Sequence, residues 1–184
     1  MKVKILKECG YDEALLGISL SRNQPIENMP KVANKISHAG SGHNKYLRSI
    51  QIWVDVTAPR YWWQEMATYT VGVTVQSAST IYTIAKGYLE QADFEQPIYS
   101  VIIDRLNGLV GRYNSEQDLI YKKMLFMQLK AELPEGFLQR RIMCISYAAL
   151  QNMFLQRYNH KLPQWKMFLD IVVEGLEHPE FIVK

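Results

Sequence analysis

SIQIWVDVTA, residues 49–58, runs directly into PRYWWQEMATY, residues 59–69. In the first stretch Ile50, Ile52, Val54 and Val56 recur at every second position, so one face of an extended chain is apolar. Pro59 ends that strand and opens a helix, where a missing backbone N–H is harmless because the first turn has no intrahelical acceptor for it. A strand feeding a helix is therefore the centre from which the remaining chain is read.

Upstream, VKIL at 3–6 alternates as a short strand, and residues 11–20 and 28–37 read as short helices, the second with Asn28 as cap and Pro30 in its first turn. AGSGHNK at 39–45 is a Gly/Ser/His-rich loop. Downstream, TVGVTVQSASTIYT at 70–83 is small, β-branched and hydroxyl-rich, which favours strand or loop over helix. Apolar residues at spacings of three and four predict helices over 96–113 and 115–133, with Ser115 and Asp118 as a capping box. Leu133-Pro134-Glu135-Gly136 breaks the chain, RRIMCISY at 140–147 reads as another strand, and helices are expected over 148–158 and 162–177. The expected class is α+β, with helices outnumbering strands.

Composition narrows the function. The 184 residues are 48% hydrophobic and 21% charged, which fits one globular domain spanning 1–184. A net charge of +3 is too small for a nucleic-acid polymer, which calls for a dense cationic stripe, yet it leaves cations enough to converge on one phosphate. No run of about 18 apolar residues suggests a membrane span. The first residues, MKVKILKECGYDE, turn acidic before a long apolar stretch develops, so a cytoplasmic location is expected. Cys9 and Cys144 make neither a disulfide framework nor a metal site and are expected as small buried hydrophobes. His38, His160 and His178 show no metal-ligand spacing with one another.

Residues 69–82, YTVGVTVQSASTIY, can be laid without a gap on the pattern R-H-R-x-x-S-x-N-x-x-S-x-R-Y, with Thr74 and Ser79 at its serines, Gln76 at its Asn and Tyr82 at its Tyr. In the same order follow Lys130-Ala-Glu-Leu133-Pro134 for R-x-x-L-P, Ser146-Tyr-Ala148-Ala-Leu150 for N-x-R-x-L, then Arg157 and Gln164-Trp165; upstream stands Gly42-His43. This series resembles the flavin-dependent thymidylate synthases over most of residues 40–166. The resemblance implies a thymidylate-synthase-complementing-protein-like domain, a central, mostly antiparallel sheet flanked by helices, assembled as a homotetramer and acting in pyrimidine metabolism. It also implies a family reaction in which a folate methylene goes to C5 of deoxyuridylate, with flavin supplying the hydride.

The departures fall where that chemistry is done. Arg-His-Arg becomes Tyr69-Thr70-Val71, the motif's acidic position becomes Ser77, its last Arg becomes Ile81, and the later Asn and Arg become Ser146 and Ala148. Each lost charge-assisted hydrogen bond removes about 1.5–3 kcal/mol from a ligand's grip. By resemblance, Gln76, Ser79, Lys130 and Arg157 are the candidate nucleotide contacts, and His43, Tyr69 and Thr70 the candidate contacts of an FAD whose retention the lost charges put in question. No catalytic residue stands out. Each candidate has a bland alternative: Arg157 as a solvated helix cation, Lys130 as a solvated face, Gln76 and Ser79 as a polar turn satisfying its own backbone. Tyr61-Trp62-Trp63 stacks a base or packs a core or subunit interface, and Arg48, Arg60 and Arg112 are possible replacement cations. The function expected is binding of, or action on, a pyrimidine deoxynucleotide resembling dUMP, or else its sequestration or regulation without catalysis.

Overall fold

The structure, a computed structural model, describes residues 1–40 and 42–184; Ser41 of the expected loop lies outside the described residues. Strands β1 (Lys2–Cys9), β2 (Gln51–Pro59), β3 (Val73–Ser77) and β4 (Leu138–Ser146) form one antiparallel sheet in the order β1-β2-β4-β3. The expected period of two sets its faces: Ile52, Val54, Val56 and Ala58 of β2 and Met143 and Ile145 of β4 are buried on one side. On that side lie α3 (Arg60–Met66), α7 (Tyr147–Arg157) and α8 (Pro163–Glu174). Trp62, Trp63, Trp165 and Phe168 interlock there, with ring centroids 4.8–5.3 Å apart around Trp62. The Trp pair is therefore packing and not a stacking platform.

Helices α1 (Tyr11–Arg22) and α2 (Met29–Ser37) join the same core through Ala14, Leu15, Ile18, Met29 and Ala33. The step from β1 into α1 turns on Gly10, whose φ of +92° suits only glycine and whose missing Cβ leaves room for the Ser49 carbonyl. A second core forms between α5 (Ser100–Ser115) and α6 (Leu119–Glu132), where Leu106, Leu109, Val110, Leu125 and Leu129 are buried, and an isolated bridge from Phe94 to Phe137 ties it to the sheet.

Two local expectations are corrected. Residues 80–83, expected as strand or loop, form a one-turn helix α4 (Thr80–Thr83). Thr80 is buried there and bonded to Lys130, and the Thr83 hydroxyl donates to the Ser79 carbonyl at 2.9 Å, so tertiary contacts override β-propensity. The capping box at Ser115 does not form. Ser115 closes α5, its hydroxyl donating to the Arg112 carbonyl, and Asp118 caps α6 by accepting from the Tyr121 N–H at 2.8 Å. The helix expected over 59–69 ends at Met66, and Pro59 still pairs with Leu138 as the last residue of β2.

Candidate functional site

The end of β3 and the turn into α4 bring three of the seven candidates together. Gln76 and Ser77 lie exposed on the edge strand, opposite Ile142 and Arg141 of β4, and the Ala78 N–H donates to the Arg140 carbonyl at 3.0 Å. Ser79 follows, half-buried, and the Lys130 ammonium of α6 donates to the Thr80 hydroxyl. Burial, with the Arg60 charge nearby, lowers the Lys130 pKa. Gln76, Ser77, Ala78, Arg140, Arg141 and Ile142 line an open cleft of about 310 Å³.

The cations around that corner differ in their partners. Arg140 faces outward and grips Asp55 across the strand pair through Nε at 2.9 Å and Nη2 at 2.5 Å. Arg60 donates to the Leu133 carbonyl at 2.6 Å and pairs with Glu135 at 3.2 Å. Arg141 faces inward, 4.5 Å over the Trp63 ring, and its Nη2 donates to the Gln139 side chain at 2.8 Å. Its Nε is shut off from solvent without a hydrogen-bond partner, and among the described residues no carboxylate pairs with it. Burial lowers its pKa as well.

Tyr69 and Arg157 meet elsewhere, beyond α3. Arg157 donates through Nε to the Tyr69 hydroxyl at 3.0 Å and pairs with Glu65 at 3.4 Å, its guanidinium 5.4 Å from the Trp165 ring. The same Glu65 oxygen accepts from the Trp165 indole at 2.9 Å and stands 3.4 Å from His160. Arg157 is thus neither a solvated cation nor a free fork: it is half-buried and held by the core. Thr70 next to Tyr69 is exposed.

His43 stands apart from both groups. It is exposed on the rim of a cavity of about 620 Å³ between α1, α2 and the segment leading to β2. Arg22, Lys45 and Arg48 line this cavity against the single carboxylate of Glu13, over a floor that includes Ile18, Ile36 and Tyr46. Its size suits a small ligand, and its rim is cationic.

The signature positions do not fit a flavin held in the family's manner. Val71 is 86% exposed and uncharged between Thr70 and Gly72. The Ser146 hydroxyl is buried and occupied as the α7 cap, accepting from the Ala149 N–H at 3.2 Å. Gly72, at φ +70°, packs so closely on that hydroxyl that a Cβ would collide with it. Ala148 offers no donor. Gln164 and Trp165, the Q-W pair, are buried core residues. In the sequence the alternation of Arg141 with Met143 and Ile145 marks it as an inward-facing cation, whereas Glu65 gives no signal.

No family model and no curated relative matches the chain. Many solved structures do match, among them flavin-dependent thymidylate synthase ThyX from Helicobacter pylori, complexed with FAD and dUMP, at a TM-score of 0.76, and a second structure of that enzyme with the same ligands at 0.77. Each of these two is 16% identical, over 100% of this chain and 98% of its own. The chain therefore has, along its whole length, the α+β fold of flavin-dependent thymidylate synthase.

Proposed function

We propose that this chain binds a pyrimidine deoxynucleotide of the dUMP class, as a sequestering or regulatory protein and not as a thymidylate synthase. The observation that carries this reading is the cationic corner at the β3–α4 turn, which sits in a fold shared with structures that hold FAD and dUMP. Gln76 and Ser79 would supply neutral hydrogen bonds and Lys130 charge, while Arg157 keeps Tyr69 and α7 in place. Flavin has no part in the reading, because residues 69–71, 146 and 148 offer it no cation.

An apolar strip accompanies the corner. Ile120, Met124 and Met127 recur along one side of α6 at 75%, 60% and 60% exposure, and Leu119 shares a cleft with Ile81 of α4. A second copy of the chain is the occupant we propose for it, in keeping with the expected homo-oligomer.

The test is thermal denaturation with dUMP, deoxyuridine and FAD, together with the visible spectrum of the purified protein. At a hundredfold excess over its Kd, dUMP should stabilise by about 2.7 kcal/mol, raising Tm by roughly 5–10 °C, and the protein should be colourless and form no thymidylate. A stoichiometric flavin band with turnover of deoxyuridylate would overturn the non-catalytic reading, and indifference to dUMP would overturn the ligand.

A further inference from the structure

Where β1 ends, the tail that follows α8 crosses it, packed so closely that a Cβ on Gly175 would lie 2.8 Å from the Ile5 side chain. Strand register sets Glu8 opposite Ile52, on the side of the sheet where Ile52, Val54 and Val56 are buried. A carboxylate is thus turned to the core face. Its Oε1 accepts from the hydroxyl of the buried Tyr147, and its Oε2 accepts from the Glu177 N–H at 2.9 Å. Glu8, Glu177 and His178 bring two carboxylate oxygens and a ring nitrogen within 4.8 Å of one another. The Tyr11 ring, stacked on the imidazole at 3.6 Å, holds it in place, and its Nδ1 stands 3.5 Å from a third carboxylate, that of Glu180. Among the described residues no lysine or arginine pairs with any of the three, although the chain carries a net charge of +3. Gathering carboxylates partly out of water without a counter-charge is costly, and a protonated imidazole would neutralise one of them at most. Tyr147 and the Glu177 N–H satisfy Glu8 as an acceptor but do not cancel the charge that Glu177 and Glu180 add beside it.

We propose that Glu8, Glu177 and His178 hold a divalent transition-metal ion of the zinc class, which fastens the tail of the chain to its first strand. Imidazole and carboxylate together are the donor set of such ions, whereas magnesium and calcium sites are built from oxygen. Zinc bonds of about 2.0–2.2 Å place tetrahedral ligand atoms about 3.5 Å apart, so the group has to draw in by roughly an ångström. Glu177 is exposed and supplies that movement by a change of rotamer. Glu8 and His178 are already oriented, the first by Tyr147 and the second by Tyr11. Outer partners of this kind aim the ligands of a metal and raise its affinity. Glu180 or water completes the coordination from the solvent side. Glu8 and Glu177 are 169 positions apart, so no spacing motif in the sequence announces the site. The proposal is independent of the nucleotide reading and needs no part of it.

The test is calorimetric titration of the EDTA-treated, dialysed protein with zinc chloride and, separately, with magnesium chloride, alongside thermal denaturation with each metal. Wild type should bind one zinc ion per chain and melt roughly 5–10 °C higher at a hundredfold excess over the Kd, with no response to magnesium. Glu8→Gln, Glu177→Gln and His178→Gln should each weaken zinc binding tenfold or more. Glu8→Gln disturbs the contact with Tyr147 and risks the fold, so the exposed Glu177→Gln, checked by circular dichroism, carries the decision. Zinc binding that survives both Glu177→Gln and His178→Gln undiminished is adventitious and overturns the proposal, as does a wild type that takes up no zinc. Magnesium bound as tightly as zinc, and undisturbed by His178→Gln, removes the imidazole from the site and overturns the transition-metal assignment.

Discussion

Glu65 shows how one side chain can fix three elements at once. From α3 its carboxylate takes the Trp165 indole of α8, the Arg157 guanidinium of α7 and the His160 ring beyond it. Removing the acceptor strands an indole N–H in the core and frees a half-buried cation, which costs about 1–3 kcal/mol for the unsatisfied donor. Because the Glu65 side chain is 32% exposed, water recovers part of this. Glu65→Ala should lower unfolding stability by about 2 kcal/mol and Glu65→Gln by less than half of that, since the amide oxygen still accepts from Trp165; urea denaturation measures both. An equal loss in the two variants would mean that charge, and not the acceptor, holds the junction. Arg157 stands out in the sequence as a residue worth following, but its partners do not, because Glu65 and Tyr69 lie 92 and 88 positions away. Only the fold can bring them together. Arg141 is the opposite case, since its inward face follows from strand alternation alone.

At the scale of elements, strand and helix identities follow from periodicity, and the errors cluster where tertiary contacts outweigh propensity. The central strand is legible because β2 is buried on one side only, which leaves a clean period of two. The short α4 is not, since four residues carry no helical period and depend on Thr80 being buried beneath Lys130. The approach to β3 is governed by Gly72 against Ser146, a contact between residues far apart in sequence. Gly72→Ala meets two penalties, a positive φ and a collision with the Ser146 hydroxyl, and should cost about 2–3 kcal/mol. Ser146→Ala loses the α7 cap at about 1 kcal/mol. In the double variant the collision is relieved and the backbone strain is not, so the two losses should sum to more than the pair costs together, and a thermodynamic cycle reads that difference. Across β2 and β4 the Arg140 guanidinium hydrogen-bonds Asp55 and holds its carboxyl below the ordinary aspartate range. A depressed carboxyl pKa contributes stability that is present above the unfolded value and lost as pH falls through the folded one. Asp55→Asn should therefore flatten the acid side of the stability–pH curve and leave the neutral side parallel to wild type.

For the whole molecule the question is what covers the far side of α6. Its inner residues, Leu125 and Leu129, are buried against α5, as a helical period predicts, but four other apolar positions face outward: Leu119 is 81% exposed, Ile120 75%, Met124 60% and Met127 60%. Single exposed apolar side chains are ordinary; four on one helix, with Leu119 sharing a cleft with Ile81 at 63% exposure, are of the kind that marks an interface. A net charge of +3 over 184 residues supplies little repulsion to keep copies apart. Because α4 follows the candidate cleft directly, a neighbour seated on Ile81 and α6 would also border the nucleotide. Two consequences can be separated by measurement. Ile120→Glu with Met124→Glu should reduce the mass found by light scattering to that of one 21.4 kDa chain, while circular dichroism stays unchanged because neither residue is in the core. If the neighbour completes the site, the same variant should bind dUMP more weakly, and the wild-type affinity should fall on dilution through the dissociation range. A variant that dissociates but binds dUMP at full strength would place the whole site within one chain, leaving Lys130 and the β3–α4 turn to hold the ligand by themselves. A wild type already monomeric at high concentration would mean that the strip serves a different partner.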